Sequence, residues 1–435
     1  MAKGATHVLG LDIGNDSIKV VELSLTRTGV KLASAPAVVP TPAGAVSGGV
    51  VVDPAALAEA LREVLSQNHM TTRKVILSVG GDTSVVARVI SMPRMTGKEL
   101  DEAMQWELDR QTPFPTDQVI FDFAPLPTPE NAPATENMEV FLAVGQEDMI
   151  SEHLNAVQGA KLTPLHVDVE PLALGRALVS LPDAEMLENS VVVIDCGASF
   201  TGIYIFRKGW PAFLRTIPTA GDSLTDAVRE GMETDRERAE WAKRQFADVS
   251  QMIYEGPAEM AEESDEGASG MFDSMYEESS AGGHEVAAPP PDSLETIPAT
   301  EMEMEAPPPP PVAAAPAAAA APAEELPAAL RQARDAVSEA ISQRIFDLVT
   351  EIGRSLDFYR RQHREEKLSQ IVLCGGSAHL KGLAALIGGE TGIPTRLANP
   401  FEHLDTEGVA TPEYLQDLGP NLAVAVGLAL RDMLE

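Results

Sequence analysis

Short apolar runs separated by polar turns dominate the beginning of the chain and predict alternating strands and helices. VLGLDIG, SIKVVELS and GVKLASA are three consecutive runs of the length expected for strands. Asp53 and Pro54 then match a helix N-cap followed by proline at the first helical position, and Leu57 and Leu61 continue at helical spacing. KVILSVGG (74–81) returns to a strand pattern. We therefore predict an α/β domain.

A second unit follows, with its own alternation of strands and helices. VVARVISM, VIFDFAPL and MEVFLAVG have strand patterns, whereas KELDEAMQWELDRQ and DMISEHLNAVQGA have helix patterns. We predict that residues 82–159 form a small α+β module inserted into the first domain.

The third region repeats the beginning of the chain. VVVIDCGASFTGIYIF (191–206) again contains a strand, an Asp-x-Gly turn, polar residues and a second strand. Placing Asp195 on Asp12 also places Gly197 on Gly14. Two such hairpins, separated by about half of the ordered chain, predict an internal duplication.

The composition changes between about residues 249 and 328, which are acidic and then rich in proline and alanine. No Lys or Arg occurs from Gln245 to Leu330, whereas 18 Asp and Glu do, out of a net charge of −34 for the whole chain. Such a segment cannot bury enough apolar surface to offset the entropy of ordering it. We predict a disordered insertion here. Beyond it, Ile341, Ile345 and Ile352 recur at helical spacing and predict one long amphipathic helix.

The strongly acidic charge argues against binding to nucleic acid or to an anionic membrane surface, since both require clustered Lys and Arg. No signal-peptide pattern is found at the N-terminus, and the apolar run LAVAVGLAL is too short to cross a bilayer. The only two cysteines, Cys196 and Cys374, are too few for a disulfide framework. We expect two buried thiols in a reducing cytoplasm.

The two Asp-x-Gly turns carry the candidate chemistry. A turn between strands exposes backbone N–H groups, and glycine lets a phosphate approach them closely. Asp12 and Asp195 fit such a phosphate site only if a magnesium ion lies between their carboxylates and the phosphates. Lys19 adds positive charge, and the polar turn residues can donate hydrogen bonds: Asn15, Ser17, Ser199 and Thr201. One Asp-x-Gly turn is weak evidence for a phosphate site, because this motif is common in ordinary turns. Two turns with matched spacing, together with a further glycine pair at Gly375-Gly376, indicate such a site far more specifically.

Together these segments resemble the phosphate-1, phosphate-2 and adenosine motifs of the actin-like ATPases, the last in LCGGSA (373–378). The resemblance implies an α/β fold of two duplicated ribonuclease-H-like halves, with ATP and Mg²⁺ in the cleft between them and the metal held by Asp12 and Asp195. It also implies that EPLALGRAL (170–178) and NLAVAVGLAL are helices that connect the halves.

The same resemblance implies roles for individual residues. Glu240 and Lys243 correspond to an acid-and-lysine pair on the ribose and adenine, and Gly375, Gly376 and Ser377 belong to the adenosine motif. Glu170 could position the attacking water, although a helix N-terminal charge before proline is an equal alternative. Gly202 falls where some members place a water-activating side chain, which implies slow hydrolysis at most.

The sequence of the inserted module indicates which family of actin-like ATPases the chain resembles most. MPRMTGKELDEAMQWELDRQTPFPTDQVIFDF (92–123) resembles the corresponding segment of the PilM family of type IV pilus assembly proteins. This implies a cytoplasmic ATP-binding scaffold, attached to the inner membrane through the short N-terminal segment of a PilN-type protein. The resemblance also implies that the module and the first subdomain form a groove that receives this partner. Trp106 and Phe114 are candidates for lining the groove, although core packing is favoured for Trp106.

The resemblance also implies four subdomains, whose boundaries we predict as follows. They are residues 1–81 with 160–188 and 420–435, the module at 82–159, residues 189–222 with 349–419, and a capping subdomain at 223–348 that contains the insertion.

Two other functions remain open at this stage. A metabolite kinase on the same fold would need an acidic general base in the cleft, and a small-molecule alcohol would trigger ATP consumption. A filament-forming or cell-division protein like FtsA is a further alternative, but no basic amphipathic helix follows the last apolar segment.

Overall fold

The computed structural model describes residues 7–81, 84–127, 137–180, 189–253, 328–364 and 366–434. Most of the segment that we predict to be a disordered insertion, residues 254–327, lies outside the described residues. The start predicted at about residue 249 lies a few residues too early, because Val249 is fully buried and Ser250–Ile253 form a 3₁₀ turn. The Val249 amide donates a hydrogen bond to the Lys381 carbonyl (2.9 Å), which holds this segment against the second half.

The first half begins with six short strands: β1 (His7–Ile13), β2 (Ser17–Leu25), β3 (Val30–Leu32), β4 (Ala37–Pro40), β5 (Val46–Ser47) and β6 (Val50–Val51). Helix α1 and strand β7 follow, at Pro54–Gln67 and Lys74–Val79. As predicted, the Asp53 side chain caps α1 by accepting hydrogen bonds from the amides of Ala55 and Ala56.

Four elements then form the inserted unit: β8 (Val85–Pro93), α2 (Lys98–Gln111), β9 (Val119–Pro125) and β10 (Asn137–Gln146). The chain returns to the first half through α3 (Glu147–Gly159), β11 (Thr163–Val169) and α4 (Glu170–Gly175), which continues as a π turn at Arg176–Ser180.

The second half contains β12 (Ser190–Cys196), β13 (Thr201–Arg207), β14 (Trp210–Ile217), α5 (Gly221–Gly231), α6 (Arg236–Phe246), α7 (Ala328–Gln362), β15 (Leu368–Cys374), α8 (Leu383–Thr391), β16 (Thr395–Leu397) and α9 (Pro412–Ala429). In α7 the predicted apolar residues Ile341, Ile345 and Ile352 are fully buried.

The two halves have the same sheet topology, which confirms the predicted duplication. The first sheet has the order β3-β2-β1-β7-β11, with β4 also paired to β2, and the second has the order β14-β13-β12-β15-β16. In both sheets three antiparallel strands are followed by two parallel ones. All seven residues of β12 are buried, as expected for a central strand that is covered on both faces.

Close packing of small residues joins the connecting helices to the sheets. A Cβ added to Gly10 of β1 would lie 1.8 Å from the Ala425 carbonyl oxygen of α9. A Cβ added to Gly427 of α9 would lie equally close, 1.8 Å, to the Ala173 carbonyl oxygen of α4. The small residues of EPLALG and NLAVAVGLAL are therefore required because two helices and a strand approach one another at backbone distance.

The module is smaller than the sequence predicts. Helix α3, which we assigned to it, packs on α1 of the first half and contributes Ala156 and Val157 to the core there, because its apolar face matches that of α1. The module therefore comprises β8, β9, β10 and α2, with the sheet order β8-β10-β9.

The prediction that Trp106 packs in the core is wrong, since 77% of its surface is exposed. The buried face of α2 is formed by Leu100, Met104 and Leu108, and Trp106 lies two positions from Met104, on the opposite side of the helix. Phe114 is half-buried.

Both cysteines are buried and unbonded to each other, as predicted. Among the described helices, none combines the length and apolar character that a membrane span requires.

Candidate functional site

The two Asp-x-Gly turns have the same local geometry. In the β1–β2 turn the Gly14 amide donates to the Ser17 carbonyl (3.0 Å), and in the β12–β13 turn the Gly197 amide donates to the Phe200 carbonyl (3.1 Å). Asp12 and Lys19 are paired across the first hairpin, with 3.2 Å between Oδ2 and Nζ. Each hairpin therefore ends in a tight turn with an aspartate in its first strand, two residues before the glycine.

These turns face each other across a cavity of about 850 Å³. They touch directly, because the Asn15 amide donates to the Ser199 hydroxyl, which in turn donates to Asp222 (2.8 Å). All but one of the site residues predicted from the sequence line this cavity: Asp12, Gly14, Asn15, Ser17, Lys19, Glu170, Asp195, Gly197, Ser199, Glu240, Lys243, Gly375, Gly376 and Ser377. The exception is Thr201, which is fully buried and donates its hydroxyl hydrogen to the Thr219 carbonyl (2.8 Å).

Three carboxylates converge in the middle of the cavity. Removal from water, followed by repulsion from Asp12, raises the pKa of Asp195 to about 6. The pKa of Glu170 is raised well above its usual value, first by removal from water and then by the charges of Asp195 and Asp12. Burial lowers the pKa of Lys19, but the attraction of the surrounding carboxylates outweighs that effect and the pKa is raised.

This donor set fits a magnesium ion. Three carboxylates face a single ammonium group, so an added cation would relieve their mutual repulsion. Mg²⁺ prefers oxygen ligands and is held through one or two carboxylates together with waters and phosphates. Within the described ranges, no group of three or more His, Cys, Asp or Glu side chains is placed to hold a metal ion by itself.

The glycine pair after β15 closes the second side of the cavity. Gly375 has a φ of +84°, and a Cβ there would lie 2.5 Å from Asp195 Oδ1 and from the Cys196 carbonyl oxygen. Its amide donates to the Pro420 carbonyl of α9 (2.8 Å). The Ser377 hydroxyl donates to the Gly197 carbonyl (3.1 Å) and so ties this segment to the second turn. Only glycine fits at 375, because the backbone there has a positive φ and a Cβ would clash with the end of β12.

Helix α6 brings an acid and a lysine to the wall of the cavity. Lys243 Nζ lies 2.6 Å from Glu240 Oε2 and also donates to the Gly221 carbonyl (3.0 Å) and the Thr225 hydroxyl (2.8 Å). Burial alone would raise the pKa of Glu240, but the ammonium of Lys243 and hydrogen bonds from Lys243, Thr225 and Arg244 lower it to about 2. The pair is therefore charged and fixed in place.

Replacing Glu240 with glutamine is expected to remove a pH-dependent part of the stability. Because the folded-state pKa is about 2, below the ordinary 4.5, ionised Glu240 stabilises the fold above about pH 4.5, and this is lost as the pH falls towards 2. The difference in unfolding free energy between wild type and Glu240→Gln should therefore be largest near neutral pH and shrink below pH 4.5. Urea unfolding at a series of pH values measures it, with exposed Glu230→Gln as the control. A difference that stays constant with pH would contradict the assignment.

The structure adds residues that the sequence did not single out. Arg244 Nη2 lies 3.1 Å from Asp16 Oδ1 and so joins helix α6 to the first turn across the mouth of the cavity. Arg334, His379 and Lys381 also line the cavity. Arg244 directly follows Lys243, and Asp16 lies between Asn15 and Ser17 in the first Asp-x-Gly turn. Both residues are therefore neighbours of site residues that the sequence predicted. No local pattern indicates their pairing.

Position 202 is filled by a neighbouring side chain. A Cβ at Gly202 would lie 2.2 Å from the hydroxyl oxygen of Tyr204, the buried residue two positions further along β13. A larger residue at 202 therefore cannot be accommodated without displacing Tyr204.

Two halves of the same topology, with paired turns facing one cleft, define an actin-like ATPase fold. The family model for the type IV pilus assembly protein PilM matches residues 10–250 and 334–433. The chain therefore belongs to the PilM family.

One solved structure and one curated protein show further similarity to this chain. The PilM–PilN type IV pilus biogenesis complex matches with a TM-score of 0.70 and 27% identity, and the match covers 98% of both chains. The cell division protein FtsA of Bacillus subtilis (strain 168) is 25% identical over 259 residues, which are 55% of this chain and 57% of FtsA. The chain thus spans little more than half of that relative's length.

Proposed function

We propose that this protein is an ATP-binding scaffold of type IV pilus assembly that binds the N-terminal cytoplasmic segment of a PilN-type inner-membrane protein. The observation that carries the proposal is the similarity to the chain in the PilM–PilN complex over 98% of both lengths, which includes the module. Such a partner would hold the scaffold at the cytoplasmic face of the inner membrane.

For the nucleotide we propose one site, the cavity between the halves. The amides of the two glycine turns and the ammonium of Lys19 would bind the phosphates, and Asp12 and Asp195 would hold Mg²⁺ through their carboxylates. Glu240 and Lys243 would contact the ribose and adenine, next to Gly375, Gly376 and Ser377. The proposal is supported by the position of these residues, which come from four separate segments of the chain and all line the same cavity.

Other residues of the cavity would have separate roles in holding the two turns and in orienting water. Asn15 and Ser199, already in contact across the mouth, would keep the two turns at the spacing that a phosphate chain requires. Glu170 would orient a water in the cavity. Bound ATP with Mg²⁺ supplies the phosphate charge that both halves recognise, so binding favours the closed arrangement of the halves. Because position 202 offers no side chain to activate water, we propose slow hydrolysis at most, and a role based on conformation.

A peptide-binding measurement tests this function. A synthetic peptide of the N-terminal cytoplasmic residues of the PilN-type protein from the same organism should bind the full chain, and a scrambled peptide should not. Trp106→Ala should weaken binding, because its indole is an exposed aromatic surface on the module. Trp210→Ala, which changes an exposed tryptophan of the second half, is the matched control. Absence of peptide binding with ATP and Mg²⁺ present would refute the scaffold proposal.

A further inference from the structure

One buried hydroxyl group near the cavity is not used by the fold. Tyr204 of β13 is only 4% exposed, and it belongs to the same core cluster as Leu174 of α4. Among the described residues, its hydroxyl forms no hydrogen bond with another protein group. Buried polar groups in proteins are almost always hydrogen-bonded, either to protein atoms or to an ordered water. The Tyr204 hydroxyl is therefore available to a water or to a group of a ligand.

This hydroxyl lies beside the aspartate of the second turn. Its oxygen takes the place that a Cβ of Gly202 would occupy. Gly202 is directly opposite Asp195 in the antiparallel pair of β12 and β13. Side chains at directly opposite positions lie on the same face of a sheet, with their Cβ atoms about 5 Å apart. Because Gly202 has no Cβ, the ring of Tyr204 covers this position and its hydroxyl reaches the neighbourhood of Asp195.

Glu170 approaches the same place from the first half. It is the first residue of α4, and Leu174, one helical turn later, packs in the core cluster that contains Tyr204. Burial raises the pKa of Tyr204 well above its usual value, and the charges of Glu170 and then Asp195 raise it further, so both carboxylates are within electrostatic range. The phenol consequently keeps its proton and can donate a hydrogen bond.

We propose that the Tyr204 hydroxyl donates a hydrogen bond to the water that Glu170 orients in the nucleotide cavity, so that this water is held from two sides. The inference rests on the proposed function and specifies which residues of this chain position the attacking water. One hydrogen bond leaves a water free to rotate, whereas a donor on one side and a carboxylate on the other fix its direction.

The roles of the two residues differ in the hydrolysis step. The water oxygen forms a bond to the γ-phosphorus, while the bond from that phosphorus to the β–γ bridging oxygen breaks. The bridging oxygen leaves with the bonding electrons as part of ADP, and the water gives one proton to the Glu170 carboxylate. Tyr204 keeps its own proton throughout. It therefore orients the water without activating it, as slow hydrolysis requires.

The test replaces Tyr204 with phenylalanine in the full chain, which keeps the ring over Gly202 and removes only the hydroxyl. Dissociation constants are measured with Mg²⁺ for ADP, for a non-hydrolysable ATP analogue, and for ADP with aluminium fluoride, which mimics the phosphoryl group during attack by water. Tyr204→Phe should bind the first two within about 3-fold of wild type and the third about 10-fold more weakly, the loss expected for one hydrogen bond. Single-turnover hydrolysis should slow by the same factor.

Stability distinguishes this role from a structural one. Because the Tyr204 hydroxyl has no protein partner, Tyr204→Phe should unfold at the urea concentration of wild type or above it. Tyr359→Phe is the matched control, since Tyr359 is 1% exposed and its hydroxyl donates to Glu366. Glu366 also accepts from Ser190 (3.2 Å), at the end of β12 opposite to Asp195. Tyr359→Phe should unfold at lower urea and keep the wild-type affinity for all three nucleotides.

A double-variant cycle tests whether both residues hold the same water. Glu170→Gln alone should also weaken binding of the aluminium fluoride complex. If Tyr204 and Glu170 act on one water, the double variant should lose less affinity than the product of the two single losses. Losses that multiply would show that the two residues act on separate groups and would refute the shared water.

The outcomes separate this inference from the function on which it rests. If wild type binds ADP but aluminium fluoride does not tighten that binding, or if Tyr204→Phe binds the fluoride complex as wild type does, the inference is refuted and the scaffold stands. If Tyr204→Phe weakens all three nucleotides alike, or unfolds as early as Tyr359→Phe, the hydroxyl has a structural role and the inference is again refuted. If wild type binds no nucleotide, the proposed nucleotide site itself fails.

Discussion

Replacing Gly427 with alanine should destabilise the protein by about 3 kcal/mol or more, at the upper end of the range for overpacked sites. The added Cβ would lie 1.8 Å from the Ala173 carbonyl oxygen and 2.4 Å from its carbonyl carbon. Both are backbone atoms of α4, so no side-chain rotation can relieve the clash. Helices α4 and α9 would have to separate, and the core that joins the two halves would open with them, because both helices belong to it.

Gly353 supplies the control for this substitution. It lies within α7, and nothing would come within 4 Å of a Cβ added there. Alanine in a helix interior is favoured over glycine by about 0.5–1 kcal/mol, so Gly353→Ala should leave the protein slightly more stable. Urea unfolding followed by circular dichroism compares the two variants. If Gly427→Ala unfolded at the same urea concentration as wild type, the backbone contact between the helices would be disproved.

Replacing Asp195 with asparagine should lower Mg²⁺-dependent affinity for ATP by about 100-fold, or about 2.8 kcal/mol at 1.4 kcal/mol per tenfold. The amide has the shape of the carboxylate but lacks the charge that a hard cation requires. In the absence of metal the variant should be no less stable than wild type. The reason is that the substitution removes one of three mutually repelling carboxylates from the cavity.

Titration calorimetry with ATP, in excess Mg²⁺ and in EDTA, makes this comparison. Asp226→Asn is the control, since Asp226 forms ion pairs with Arg229 and Arg236 at the surface of α5 and does not line the cavity. It should retain the wild-type response to Mg²⁺. Equal affinities of Asp195→Asn in Mg²⁺ and EDTA are expected. A wild-type response to Mg²⁺ in that variant would remove Asp195 from the metal site that we propose.

Features encoded within one short segment were predictable from the sequence. Helix α2 begins at Lys98 and ends at Gln111, which are the bounds that its amphipathic pattern indicated. The two turns were recognised because an Asp-x-Gly motif between apolar runs determines its own hydrogen bonding. Trp106 shows where residue type misleads: hydrophobicity favoured the core, whereas its position among Leu100, Met104 and Leu108 placed it on the outer face.

Long-range contacts were not predictable. Asp16 and Arg244 are 228 residues apart, and Arg207 is 68 residues from Glu139, so no local pattern relates them. Helix α3 follows the module in sequence but packs on α1, because the choice between two neighbouring apolar faces depends on the shape of both.

The sequence by itself determined the duplicated halves and the two Asp-x-Gly turns, because backbone periodicity and turn chemistry depend on residues close together in the chain. The family followed from the resemblance of residues 92–123 to the PilM family. Only the tertiary structure decided that three carboxylates share one cavity with Lys19. It also decided that the module rests on both halves beside the first turn of α4. The physical reason is that charges and apolar faces interact through space, and their distances are fixed only when separate segments pack together.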